Sequence, residues 1–183
     1  VRWWDHWLKG RDTGIMDEPQ LRIWMQESVS PQPQYESWPG RWIAETAWPS
    51  ANVQPRRLFL DPGHLSTQQL PPTELSFSSP QSTGVRSGEW CGFGADGEMP
   101  RDQRPDDGGS LVFDSDPLSE GIELLGAPVA EIEFMVNRPS AMLAVRLGDI
   151  APDGQVLRVT YGLLNLTHGG GHEAPRALVP GRW

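Results

Sequence analysis

The sequence predicts a mainly β protein, and three observations carry that prediction. Glycine and proline are abundant, at 20 and 18 of 183 residues, and they fall between short apolar runs, a distribution that long helices do not tolerate. Several runs in the last third alternate apolar and polar residues with a period of two. Between two of these runs lies Ala151-Pro152-Asp153-Gly154, a turn sequence in which proline pre-sets φ, aspartate bonds back to the backbone and glycine accepts a positive φ.

From the start, Trp3, Trp4, Trp7 and Leu8 fall within an arc of about 140° on a helical wheel, while Arg2, Asp5, His6 and Lys9 take the opposite arc. This predicts a short amphipathic helix ending near Gly10. Isolated helices of fewer than about 12 residues are marginal in water, so three indoles on so short a helix imply an apolar surface that receives them. A loop through Gly14 and Pro19 follows, and then Leu21 to Met25 reads as a strand with Leu21, Ile23 and Met25 on one face. Residues 28 to 54 hold Pro, Ser, Gln and Trp with no steady period and are expected to form an irregular, aromatic-pinned connection. Short strands are expected at Arg57 to Leu60 and at Glu74 to Phe77, with the turn Asp61-Pro62-Gly63 between them. A long glycine-rich, acidic loop is expected from Gly84 to Gly109.

Leu111 to Phe113 reads as a compact apolar strand. In the next run Ile132, Phe134 and Val136 alternate with Glu131 and Glu133, which predicts one buried and one wet face. Leu143, Val145 and Leu147 alternate with Ala144 and Arg146, and Leu157, Val159 and Tyr161 alternate with Arg158 and Thr160. Joined by the 151 to 154 turn, these runs form an antiparallel hairpin. Strands at this spacing suggest a β-sandwich. No internal repeat and no low-complexity tract interrupts the chain.

The length fits one core with a small appendage. The formal net charge of −9 repels phosphate backbones and anionic headgroups, which argues against nucleic-acid and membrane-surface partners. No stretch approaches the ~18 apolar residues that span a bilayer. The lone Cys91 excludes an internal disulfide and a cysteine metal cage, and a cytoplasmic location is the expectation, any export signal lying upstream.

No residue qualifies as catalytic, cofactor-binding or metal-ligating by its pattern. The Gly-x-Ser-x-Gly turn of α/β serine hydrolases is absent; Ser87 has the wrong offset from its glycines, and Ser110 opens a strand. His168-Gly169-Gly170-Gly171 matches a lipase oxyanion string, but that loop must precede a nucleophile elbow and none follows. His168, His172 and Glu173 would suit metal ligation on a helix, which three consecutive glycines oppose, so ordinary solvated histidines are expected. His6 and His64 read as surface groups. Asp96, Glu98, Asp102, Asp106 and Asp107 lack calcium-loop spacing; with Arg101 and Arg104 interleaved, local ion pairs are the expectation. The tryptophans crowd into the first fifty residues, either as core and partner contacts or as sugar-stacking platforms.

Three segments resemble the CocE/NonD and X-Pro dipeptidyl-peptidase (S15) serine hydrolases. Arg2-Trp3-Trp4-Asp5-His6-Trp7-Leu8-Lys9-Gly10, running on to Gly14-Ile15-Met16-Asp17-Glu18-Pro19, looks like the final helix of the α/β-hydrolase domain with its exit loop. Pro100 to Asp107, with Ser110-Leu111-Val112-Phe113-Asp114-Ser115-Asp116-Pro117-Leu118, is similar to the opening of the carboxyl-terminal sandwich. Arg146 to Gly154 with Thr160 to His168 is similar to a later hairpin.

The resemblance implies a jelly-roll, galactose-binding-like β-sandwich that packs on a catalytic domain and shapes access to its active site. Residues 1–19 would be the terminal hydrolase helix and exit loop, 20–56 a connecting segment and 57–183 the jelly roll, truncated at its end. The parent would be an acyl esterase or dipeptidyl-peptidase whose Ser-Asp-His triad lies upstream, so this chain by itself is expected to be inactive. The implied partner is that upstream hydrolase domain, and an unpaired strand edge would favour self-association. The alternative is a stand-alone carbohydrate-binding or interaction module.

Overall fold

A computed structural model describes residues 1–182, and its architecture is mainly strands with few helical turns. Helix α1 spans Arg2–Lys9. Its end is set by Gly10, whose φ of 59° lets its N–H turn back to the Asp5 carbonyl, which also accepts from the Arg11 N–H at 3.1 Å; glycine meets this left-handed requirement without a Cβ penalty. Arg2 ties the helix to its exit loop through Glu18 and the Thr13 carbonyl, and a 3-10 turn follows at Ile15–Asp17.

Strand β1 (Leu21–Gln26) pairs antiparallel with β2 (Gly40–Glu45), placing Ile23 opposite Ile43 and Trp24 opposite Trp42. Leu21, Ile23 and Met25 turn inward as the alternation predicts, with Met25 buried. Strand β2 lies inside the segment expected to be irregular. Its pairing is fixed by tertiary ties rather than by period: the Glu27 N–H donates to Pro39 O and Trp38 Nε1 donates to Glu27 O, which closes the loop and sets the register.

Strands β3 (Phe59–Asp61) and β4 (His64–Ser66) form a tight hairpin around Pro62 and Gly63. Asp114 borders β4, accepting from the Leu65 N–H at 2.8 Å, so the Leu111 to Phe113 run ends at a bridge rather than in a full strand. Glu74 to Phe77 forms no strand. The Gly84 to Gly109 loop contains one helical turn, α2 (Arg104–Asp107), with Pro105 in its first positions, where the missing N–H costs nothing.

Strands β5 (Met142–Ile150) and β6 (Val156–Asn165) form the predicted hairpin. The turn is closed by Ala151 N–H to Gln155 O and Gly154 N–H to Ala151 O, with Asp153 accepting from the Gln155 N–H and Gly154 at φ 81°. Leu147 faces Thr160 while Gly148 faces Arg158, so Val159 is an extra residue in a bulge. Ile132, Phe134 and Val136 do not form a strand. The partner that a ladder needs is nearly absent there: only the Gly181 N–H reaches Val136 O, and the Leu178 N–H reaches Pro139 O.

Each of the three sheets among the described residues has two strands. Met25, Leu157 and Leu166 are the buried apolar side chains. The accessible surface is 14492 Å², against about 8,800 Å² for a compact monomer of the same mass. No helix among the described residues is long and apolar enough to cross a membrane.

Candidate functional site

Two features stand out, a polar clamp that organises the carboxyl half and an aromatic surface at the amino end. The clamp is built where the acidic loop meets β5 and β6. Gln103 and Asp106 are each 2% exposed, and both are hydrogen-bonded, as buried polar groups must be. Gln103 Nε2 donates to the carbonyls of Arg86 and Arg101, its N–H donates to Val156 O, and its Oε1 accepts from Arg146 Nη1 at 3.1 Å. Asp106 Oδ2 accepts from the Arg86 N–H at 3.0 Å and lies 3.7 Å from Arg146 Nη1. Arg146 Nη2 donates to Asp107 Oδ1 at 2.8 Å and to Ser110 Oγ at 3.1 Å.

Asp102 closes the other side, accepting from the Val156 N–H and from Arg104. The Arg104 guanidinium holds the Asp102 carboxyl below the usual aspartate range, helped by the two backbone N–H groups and opposed by burial. Asp107 goes the other way: burial pushes its carboxyl up, and the neighbouring charge of Arg146 only partly offsets this. Burial also lowers the Arg158 guanidinium, which stacks 4.3 Å over the Tyr161 ring and donates to Ser87 O.

These contacts correct one sequence expectation, that local ion pairs order the acidic loop: Arg146 turns into it from β5. Asp106 and Asp107 pair with this distant strand residue, while only Asp102 takes a local partner, Arg104. The clamp joins segments. Ser87 accepts from Arg158 through its carbonyl, and Ser110 Oγ donates to Asp106 O at 2.9 Å.

The aromatic surface begins on α1, none of whose residues is fully buried. Asp5 and His6 of the polar arc are half-buried, while Trp3, Trp4 and Trp7 are 50%, 60% and 54% exposed. His6, expected at the surface, packs edge-on to Trp7, and its Nδ1 is enclosed without a hydrogen-bond partner among the described residues. On the β1–β2 hairpin Trp24 and Trp42 meet edge to face with centroids 5.5 Å apart. His64 sits in the β3–β4 hairpin, apart from His168 and His172, whose rings meet with Nδ1 atoms 2.7 Å apart. Among the described residues no three His, Cys, Asp or Glu side chains gather as a metal cage.

Residues 13–183 match the family of the X-Pro dipeptidyl-peptidase C-terminal non-catalytic domain. The chain belongs to this family. Helix α1 precedes the residues matched to the dipeptidyl-peptidase C-terminal domain. Two curated relatives, named as serine esterases of Mycobacterium bovis and Mycobacterium tuberculosis, are each 28% identical to the chain over its whole length. The chain spans 28% of the length of these relatives. No solved structure matches it.

Proposed function

We propose that this domain packs on an α/β-hydrolase catalytic domain of the acyl esterase or dipeptidyl-peptidase type and shapes access to that domain's active site. The observation that carries the reading is on α1, where Trp3, Trp4 and Trp7 are at least half exposed while Asp5 and His6 of the polar arc are half-buried. Burying a fully exposed aromatic side chain removes about 150–250 Å² from water; these indoles, half exposed, would give up roughly half of that each, which at about 25 cal/mol per Å² is still a large share of an interface. Isolated two-stranded hairpins are marginal in water, so the β1–β2 and β5–β6 pairs gain from a neighbour that covers them.

In the assembled enzyme the catalytic domain would carry the triad for acyl transfer. This chain would contribute a wall and a docking face, and the polar clamp would keep its loops in register. Jelly-roll closure through additional strands belongs to the same reading, since the three sheets offer open edges for it.

The test is direct. The purified chain is assayed with nitrophenyl esters and X-Pro anilides, and is then mixed with the catalytic domain of the mycobacterial relative. Absence of turnover, together with a stable complex whose tryptophan emission shifts to the blue, is the expected result. Turnover blocked by a serine-directed inhibitor, or no complex at all, would overturn the proposal. Saturable quenching by oligosaccharides would instead favour a carbohydrate-binding module.

A further inference from the structure

The loop after β6 is tied down at several points. Asn165 Oδ1 accepts from the Thr167 N–H at 3.1 Å and from the Thr167 hydroxyl at 2.8 Å, capping the 3-10 turn Leu166–His168, whose Leu166 is buried. The Gly171 N–H donates to His168 O at 2.8 Å, and Gly171 has φ 114°, a value L side chains rarely adopt. The Arg176 N–H donates to Thr167 O at 2.8 Å and closes the far end. These ties bring His172 back over His168 without an α-helix, the three glycines that oppose one forming the turn between them.

The two Nδ1 atoms lie 2.7 Å apart and the rings cross at 76°. At that distance one nitrogen donates and the other accepts, so a single proton lies between two lone-pair positions. A transition-metal ion bonded at ~2.0–2.1 Å to each nitrogen needs them about 2.8–3.0 Å apart in neighbouring square-planar or octahedral positions, and about 3.4 Å apart in a tetrahedron. The observed spacing is close to the first and short of the second. His172 is exposed and His168 half-buried, so a small turn of the rings opens the remaining few tenths of an ångström. The net charge of −9 draws cations toward the chain.

We propose that His168 and His172 form a two-imidazole chelate for a divalent transition-metal ion that favours square-planar or octahedral coordination, Cu²⁺ above Ni²⁺, with solvent filling the other positions. No oxidation or reduction is involved. On binding, the proton held between the Nδ1 atoms passes through solvent to a vacated Nε2, leaving both rings neutral and both Nδ1 lone pairs on the metal. Imidazole ligands select against Mg²⁺ and Ca²⁺, which take oxygen donors.

The full chain carrying Cys91→Ser, to remove an exposed thiol that competes for copper, is titrated with Cu²⁺ and Ni²⁺ by calorimetry in a neutral, non-coordinating buffer. One saturable site per chain is expected. His168→Gln or His172→Gln should each weaken it by about tenfold or more, while His64→Gln leaves it unchanged. Electron paramagnetic resonance of the copper-loaded chain should show two bound imidazole nitrogens, a readout that needs no variant. Absence of saturable binding, either loop variant retaining the parent affinity, or a single-nitrogen spectrum would overturn the proposal.

Discussion

Arg146 on β5 reaches back 39 residues to donate to Asp107 at 2.8 Å, and the same guanidinium faces the almost fully buried Asp106. One side chain thus anchors α2 and its loop to the carboxyl-terminal hairpin. Truncating it strands Asp106 and the Gln103 Oε1 in a site that water barely reaches. Arg146→Ala should destabilise the chain by about 2–4 kcal/mol, read as a lower midpoint in urea. A cost below about 0.5 kcal/mol, typical of an unimportant surface change, would show that the clamp does not hold the fold.

The contrast between the two hairpins shows what the residues reveal alone. The β5–β6 pair was legible because Leu143, Val145 and Leu147 alternate and the turn from Ala151 to Gly154 leaves little choice of geometry. Helix α1 and its Gly10 end were legible from local physics too. Strand β2 was not, because Trp42 and Ile43 follow a run without period and the register comes from Trp38 binding a distant carbonyl. Ile132, Phe134 and Val136 have the alternation of a strand but only scattered contacts with the 178 to 181 segment; alternation states which face is apolar and cannot supply a neighbour. The clamp was half visible, since the acids and arginines of the loop stood out. Arg146 is only the polar member of an alternating run, and its charge in a chain with so acidic a loop is the signal that could have flagged it. The meeting of His168 and His172 was not legible, because it comes from a tied loop and not from a helical period.

Asp102 and Asp107 predict opposite responses to acid. Asp102 sits below the usual range because Arg104 and two N–H groups favour its charged form. Its stabilising contribution is present above the unfolded value of about 3.9 and is lost as pH falls through the lower folded value. Asp107 sits above that range because burial disfavours its charge; the cost is felt above the raised value and relieved as pH falls through it. Urea midpoints should therefore rise slightly from neutral pH into mild acid and then drop. Asp107→Asn should flatten the first limb and Asp102→Asn the second. Parallel curves for both variants and the parent would contradict these assignments.

Gly40 opens β2 with no room beside it. A Cβ there would sit 2.3 Å from Met25 O and 2.8 Å from Trp24 Nε1, and the first of these is backbone that cannot swing away. Gly40→Ala should cost about 1–3 kcal/mol through overpacking and should disturb the edge-to-face meeting of Trp24 and Trp42. Near-ultraviolet circular dichroism reads that pair. An unchanged spectrum with unchanged stability would show that the hairpin does not need this close approach.

All three described sheets leave both outer edges without a neighbouring strand, and α1 exposes three indoles on one side. Unpaired N–H and C=O rows template pairing with another chain, and a contiguous apolar patch drives association unless something covers it. We therefore expect the isolated domain to associate with itself in a concentration-dependent way in sedimentation. Replacing Trp3, Trp4 and Trp7 with serine should reduce that association while shifting the urea midpoint little, because half-exposed side chains contribute little to the chain's own core. The same variant should fail to bind the hydrolase domain. If the triple variant unfolds, the indoles serve the chain's own fold. If the parent stays a sharp monomer at high concentration, the open edges and aromatic face are not sticky.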